Sequence, residues 1–270
     1  MIPTVNTDQV VSHTARVAGG RRLRWFFPVF SGVLLAVLVV GFAPSFFLRG
    51  HITITPPSRL AALAQRLASG DLPLYLIAHG VALTAWYVLV FAQTCLVAAG
   101  RTDLHRRLGI AGIGVAILIV PISALVIARG VPRLLPIEAA MRTPVAARQA
   151  MSGLIASDVA ALVVFCVLVG VALRTRHHRR DIHKRCMIAS CFAIYGPALS
   201  RFEIFYGLRP PFFTLPAVLL LGLAVYDIAT LRRIHGSTFW TAVVAPVVWF
   251  CFMETLIFSG AAGAVVDTFR

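Results

Sequence analysis

Acidic residues are scarce in this chain: 10 Asp and Glu among 270 residues, against 25 Lys and Arg, with Lys184 the single lysine. A formal charge of +15 raises the question of nucleic acid. The arginines, however, fall in short clusters between apolar runs rather than along one polar face, which excludes nucleic acid as a partner. Charged residues make up only 13% and hydrophobic residues 59% of the chain, which excludes an ordinary soluble domain. The five cysteines lie in apolar runs and none forms a CxxC, so there is no disulfide framework or zinc knuckle, and they read as small packing residues. Also missing are a phosphate loop, an HExxH and an ordered Ser-His-Asp set. Nothing therefore argues for a kinase or hydrolase, and whether the chain is an enzyme stays open.

What is present reads as an all-α, polytopic transmembrane bundle of about seven spans. The spans are placed at 25–48, 73–99, 108–129, 154–174, 186–207, 212–231 and 239–260. Together they form one transmembrane domain, 25–260, after a polar basic arm (1–24) and before a short external tail (261–270). The first span is too long for a signal-peptide core and has no small-residue cleavage site, so it reads as uncleaved. An external loop at 49–72 carries a short amphipathic helix opened by Ser58 and closed at Gly70, with Leu60, Leu63, Ala64 and Leu67 on one face. A second external loop, 130–153, contains Pro132, Pro136 and Pro144. The final span is interrupted by Pro246. The inner segments hold 15 of the 25 basic residues, and Trp25 and Trp240 mark inner edges. This predicts a cytoplasmic N-terminus in a bacterial inner membrane, with the bilayer, anionic headgroups at the inner face, and another membrane protein as partners.

One segment is repeated. Asp103, His105, Arg106 and Arg107 recur 78 positions later as Asp181, His183, Lys184 and Arg185, each block opening an apolar helix. Both read as an Asp N-cap, a first-turn histidine and a basic pair, and predict a duplicated hairpin that builds a four-helix core over 73–207. His105 and His183 allow two readings. They can ligate a b-type haem from two helices, with flanking arginines on its propionates. Alternatively they face water in their first turns, beside basic pairs that anchor lipid headgroups.

A second polar level gathers His79, Asp158, Arg201, Glu203 and Glu254 from four spans at similar depth. One reading is a buried ion-pair network, chiefly Arg201 with Asp158 or Glu254. The other is an outward-facing site with His79 as proton carrier, metal ligand or haem ligand and Arg201 as anion anchor. His79, Trp86 and Gln93 recur at seven-residue spacing and share a helix face, suited to interhelical hydrogen bonds or to lining a cavity. Pro197 predicts a kink in the fifth span, and Gly109, Gly112 and Gly114 close packing of the third. His177 and His178 read as solvated, while His13, His51 and His235 suggest nothing specific.

The blocks His79, Gln93, then Arg101, His105, Arg106, Gly109, then His183, Lys184, Met187 and Arg201 resemble a family of uncharacterised bacterial multi-pass membrane proteins. That family's pattern is His…Gln, Arg-x-x-x-His-Arg-x-x-Gly and His-Arg-x-Met…Arg. Two positions depart from it: Lys184 replaces Arg, and Cys186 stands where the family often has Trp. The second block also resembles the His-Lys-Arg-x-Met-x-x-Ala signature of small membrane proteins linked to cytochrome oxidase maturation. A looser likeness is to four-helix haem cytochromes, and a likeness of fold carries no activity with it. Three functions follow as expectations: a core that binds haem b or a quinone-like ligand for electron transfer, with His79, His105, His183, Gln93 and Arg201 at the site; a non-enzymatic scaffold or assembly factor; or a small transporter.

Overall fold

The computed structural model describes residues 24–52, 55–56, 60–208 and 214–269. The N-terminal arm up to residue 23, His13 with it, the Ser58 cap and the start of the expected sixth span lie outside the described residues. Among the described residues there is no strand. The helices are α1 (Phe26–Phe42, continued by a π-helical turn Ala43–Phe47), α2 (Ala61–Ala68), α3 (Leu74–Ala98), α4 (Thr102–Met141) and α5 (Pro144–Thr175). They are followed by α6 (Arg180–Ala193), α7 (Gly196–Tyr206), α8 (Thr214–Leu231), α9 (Gly236–Phe239), a second π-helical turn (Trp240–Val244), α10 (Ala245–Phe258) and α11 (Ala261–Asp267). Among the described residues five stretches are long and apolar enough to cross a membrane: Phe26–Phe47, Leu74–Ala98, Thr102–Ala139, Pro144–Thr175 and Gly236–Phe258. The chain is an all-α, polytopic bundle.

The expected core is a closed ring: α3 packs on α4, α4 on α5, α5 on α6, and α6 back on α3. This leaves α3 diagonal to α5 and α4 diagonal to α6. Outside the ring, α1 leans on α3 and α7, α8 on α6, and α10 and α11 on α5. Trp86, Tyr87, Phe165, Ile188 and Tyr195 are almost wholly buried where the four helices meet. Between apolar helices in lipid, such contacts act through dispersion and shape rather than through release of water.

The helix limits correct several expectations. The second proline-bearing loop does not exist, because α4 runs unbroken to Met141 through Pro121, Pro132 and Pro136. All three prolines lie on the exposed side of α4, where the carbonyls they orphan are not trapped inside the bundle. The connection shrinks to Arg142 and Thr143. The Thr143 hydroxyl accepts from the Ala146 N–H at 3.3 Å, and Pro144 occupies the first helical position.

The expected fifth span is two helices. The Pro197 ring has no N–H and meets the Ala193 carbonyl, and α6 ends at that residue. The Tyr195 N–H bonds to Phe192 O instead of Cys191 O, and the Tyr87 hydroxyl donates to the released Cys191 carbonyl at 2.6 Å. Asp103 and Asp181 are not N-caps: Arg101 and Arg179 hold those positions without side-chain bonds, and the aspartates sit in the first turns facing the positive dipole end. Gly112 and Gly114 are not contact glycines, since an added Cβ at either meets nothing within 4 Å. The close approaches are elsewhere, at Gly41 (2.8 Å from Ala198 O) and Gly80 (2.5 Å from the Phe46 ring). The C-terminal tail is the helix α11, tied to α5 by a bidentate Arg148–Asp267 pair at 2.9 and 2.7 Å.

Candidate functional site

The ring interior is layered. Interior positions of α3 and α5 lie 79 residues apart: His79 with Asp158, Trp86 with Phe165, Gln93 with Ala172. The middle pair closes the ring axis, with indole and phenyl centroids 5.2 Å apart and edge-on. The polar residues fall on either side of this Trp–Phe floor. On one side is the basic end, carrying the Arg-rich turns; on the other is the end carrying α2.

At the basic end His105 and His183 project from the first turns of diagonal helices and meet. Their ring centroids are 6.4 Å apart with planes at 86°, and both side chains are half-buried rather than splayed toward water. His183 is oriented by the helix before its own: its Nδ1–H donates to Ala172 O at 2.9 Å, which leaves Nε2 as the lone-pair nitrogen. His105 Nδ1 and Gln93 Oε1 are buried without hydrogen-bond partners among the described residues. Beyond His105, the interior stripe of α4 is Gly109, Gly112 and Ala116, and the space beside Gly112 is unfilled.

The two basic pairs have diverged. Arg106 and Arg107 are exposed, as anchors should be. Arg185 is wholly buried, so it cannot reach a headgroup or a propionate. Its Nη2 donates to Asp227 Oδ1 on α8, its Nε to Thr238 Oγ1 at 2.9 Å and its Nη1 to Asp181 O at 2.9 Å. The Thr238 hydroxyl donates onward to Asp227 Oδ2, which also accepts the His235 N–H at 2.9 Å. Lys184 lies over Tyr226, 4.9 Å from the ring centroid, and pairs with Asp181 at 2.7 Å. The hydrogen bond from Lys184 holds the Asp181 carboxyl below the usual carboxylate range. Sequence reasoning passed over Asp227, although it is the lone acid in its apolar span and so called for an interior partner. His235, which had suggested nothing, caps α9: its Nδ1 accepts the Ser237 N–H at 3.1 Å. His177 and His178 are exposed as expected, the former accepting from Arg176 Nε at 2.9 Å.

At the opposite end a cavity of about 1130 Å³ opens between the ring and α1, α8 and α10. His79, Asp158, Arg201 and Glu203 all line it; Glu254 does not. The expected Arg201 ion pair is absent: among the described residues no carboxylate forms a salt bridge with it. Its Nε donates to Ser45 Oγ at 3.0 Å, its Nη1 to Pro197 O at 2.8 Å, and its guanidinium lies 4.0 Å over the Phe42 ring. His79 Nδ1 is 3.4 Å from Ser123 Oγ. The amphipathic segment expected on the outer surface is α2, and it forms the cavity roof through Leu63 and Leu67. Arg49 latches that roof, donating to the carbonyls of Ser45 (3.0 Å), Leu67, Ser69 and Gly70 (2.9 Å). Among the described residues no group of three or more His, Cys, Asp or Glu could hold a metal ion. Compared with known proteins, the chain matches no family model, no curated protein and no solved structure.

Proposed function

We propose that the chain is an integral protein of the bacterial inner membrane, N-terminus cytoplasmic, whose four-helix core would hold a b-type haem between α4 and α6 through His105 and His183. The observation that carries this reading is the imidazole pair. Two rings on diagonal helices stand 6.4 Å apart without bonding to each other, and paired imidazoles are a donor set that would suit a b-type haem. The Ala172 carbonyl fixes the His183 tautomer with Nε2 free, the outer-shell arrangement typical of a ligating histidine. The space beside Gly112, where an added Cβ meets nothing within 4 Å, suits a flat ligand lying against that face. Exposed Arg106 and Arg107 are available for its carboxylates. Bound there, haem b supplies single-electron transfer at a potential set by its axial ligands and by burial.

The test is the absorption spectrum of protein purified in detergent from haem-replete cells. A Soret band typical of six-coordinate low-spin iron is expected, lost in His105→Ala and in His183→Ala but kept in His79→Ala. No Soret band after addition of haemin, or one that survives both inner substitutions, overturns the assignment. Gly112→Leu, which fills the space beside His105, is expected to lower haem occupancy without altering the elution profile.

A further inference from the structure

The cavity at the other end of the bundle presents a different problem. Asp158 and Arg201 are opposite charges that line one cavity together with His79. Yet the two do not pair. Among the described residues Asp158 has no hydrogen-bond or salt-bridge partner, and the Nη2 group of Arg201 is unused. Ionisable groups at membrane depth normally pair or serve a ligand. An acid and a base that face the same cavity without touching mark the two sides of a ligand headgroup.

We infer that this cavity binds a lipoquinone-type ligand: a planar ring bearing oxygens, on an apolar tail. Three features select that class. The first is charge: the lining cations Arg201 and Arg133 are matched by Asp158, Glu138 and Glu203, so an anionic head meets carboxylates as well as cations. A neutral head avoids that conflict. The second is hydrogen-bond sense. Arg201 only donates, ionised Asp158 only accepts, and His79 does either, according to tautomer. A headgroup whose oxygens accept as carbonyls and donate as hydroxyls uses all three. The third is shape. The Phe42, Phe46 and Phe192 rings line the cavity as aromatic neighbours for a ring, and the apolar remainder extends among α5, α8 and α10 toward Leu219 and Val243. About 1130 Å³ exceeds what a ring alone needs and accommodates part of a tail. The inference goes beyond the haem reading and does not depend on it.

The test uses the full chain in detergent, titrated with decylubiquinone and followed by tryptophan fluorescence. Trp249 lines the cavity, its Nε1 donating to Ser157 O at 3.3 Å, and serves as the reporter. Saturable quenching is expected, with affinity lowered about tenfold or more in Asp158→Asn and Arg201→Gln. Ala161→Phe, which fills the cavity wall rather than removing a charge, is expected to abolish saturation while the protein still elutes as a single peak. Trp249→Phe is expected to reduce the amplitude and leave the midpoint alone. Quenching that rises linearly with probe and ignores Ala161→Phe is mere partition into the micelle and overturns the inference. So does a stoichiometric phospholipid that copurifies and is not displaced by excess decylubiquinone. The Soret band is read separately, so loss of either result leaves the other intact.

Discussion

Asp227→Ala leaves a guanidinium sealed inside the protein with nothing to neutralise it. Arg185 and Asp227 are both fully inaccessible, and Thr238 between them is likewise buried. The substitution removes the carboxylate that accepts from Arg185, Thr238 and the His235 N–H. Removing one member of a buried ion pair costs about 3–5 kcal/mol, most of it from the stranded charge rather than from the lost attraction. For a chain of this size that corresponds to a fall in unfolding temperature on the order of 10 °C. The double substitution Arg185→Met, Asp227→Leu removes both charges and is expected to recover most of the loss. The readout is built into the chain. Cys186 and Cys191 are 4% and 1% exposed, so with Cys95, Cys166 and Cys251 replaced by serine, a thiol-reactive fluorophore reports on the opening of α6. If Asp227→Ala melts within about 2 °C of the parent, or the double variant is no better than the single, the pair is not holding α6 against α8 and α9.

Three further outcomes follow from local geometry. Gly41→Ala sets a methyl 2.8 Å from the Ala198 carbonyl oxygen and is expected to lower the unfolding temperature through a cost of about 1–3 kcal/mol, whereas Gly112→Ala meets open space and is expected to be neutral or stabilising. Arg49→Ala removes the donor that closes four carbonyls around the end of α2, and faster protease cleavage within 60–72 is the expected sign, with the rest of the digest unchanged. Thr143→Ala removes the α5 cap and is expected to cost about 1 kcal/mol, with Thr143→Ser restoring it, both read by thermal unfolding.

The sequence made the bundle legible because its apolar runs are long, and made the ring legible because the Asp-x-His-basic-basic block occurs twice. It misplaced the ends of helices for a reason seen at α4. Three prolines in a row of turns ordinarily mark a loop, but on one exposed face of a helix they cost little. It misjudged the basic pairs because Arg106–Arg107 and Lys184–Arg185 look alike on paper. What separates them is Asp227, 42 residues away from Arg185 in sequence, and only the packing of α8 against α6 brings the two together. The first-turn histidines were equally ambiguous. Whether such a residue faces water or a neighbour depends on where the diagonal helix sits, and local pattern does not encode that.

The same repeat explains why the two ends of the bundle do not do the same chemistry. Equivalent positions bring like to like at the basic end, histidine against histidine, with His183 turned to a carbonyl of the preceding helix. At the opposite end the α5 residue that lines the cavity with His79 is Asp158, 79 positions on rather than the 78 of the histidine block, and it is an acid rather than a second imidazole. With Arg201 entering from α7, a histidine and an aspartate supply the donors and acceptors that hold a polar head. The break at Pro197 is what permits that entry: a straight fifth span would carry Arg201 onward along the α6 axis instead of turning it, through α7, beneath Phe42 and Ser45. Replacing Asp158 with histidine is therefore the decisive swap. If the two halves are true structural equivalents, Asp158→His restores the symmetric pair with His79 and adds haem-binding capacity at the far end, at the expense of saturable quinone quenching. If the halves are only superficially alike, the variant gains no second haem equivalent.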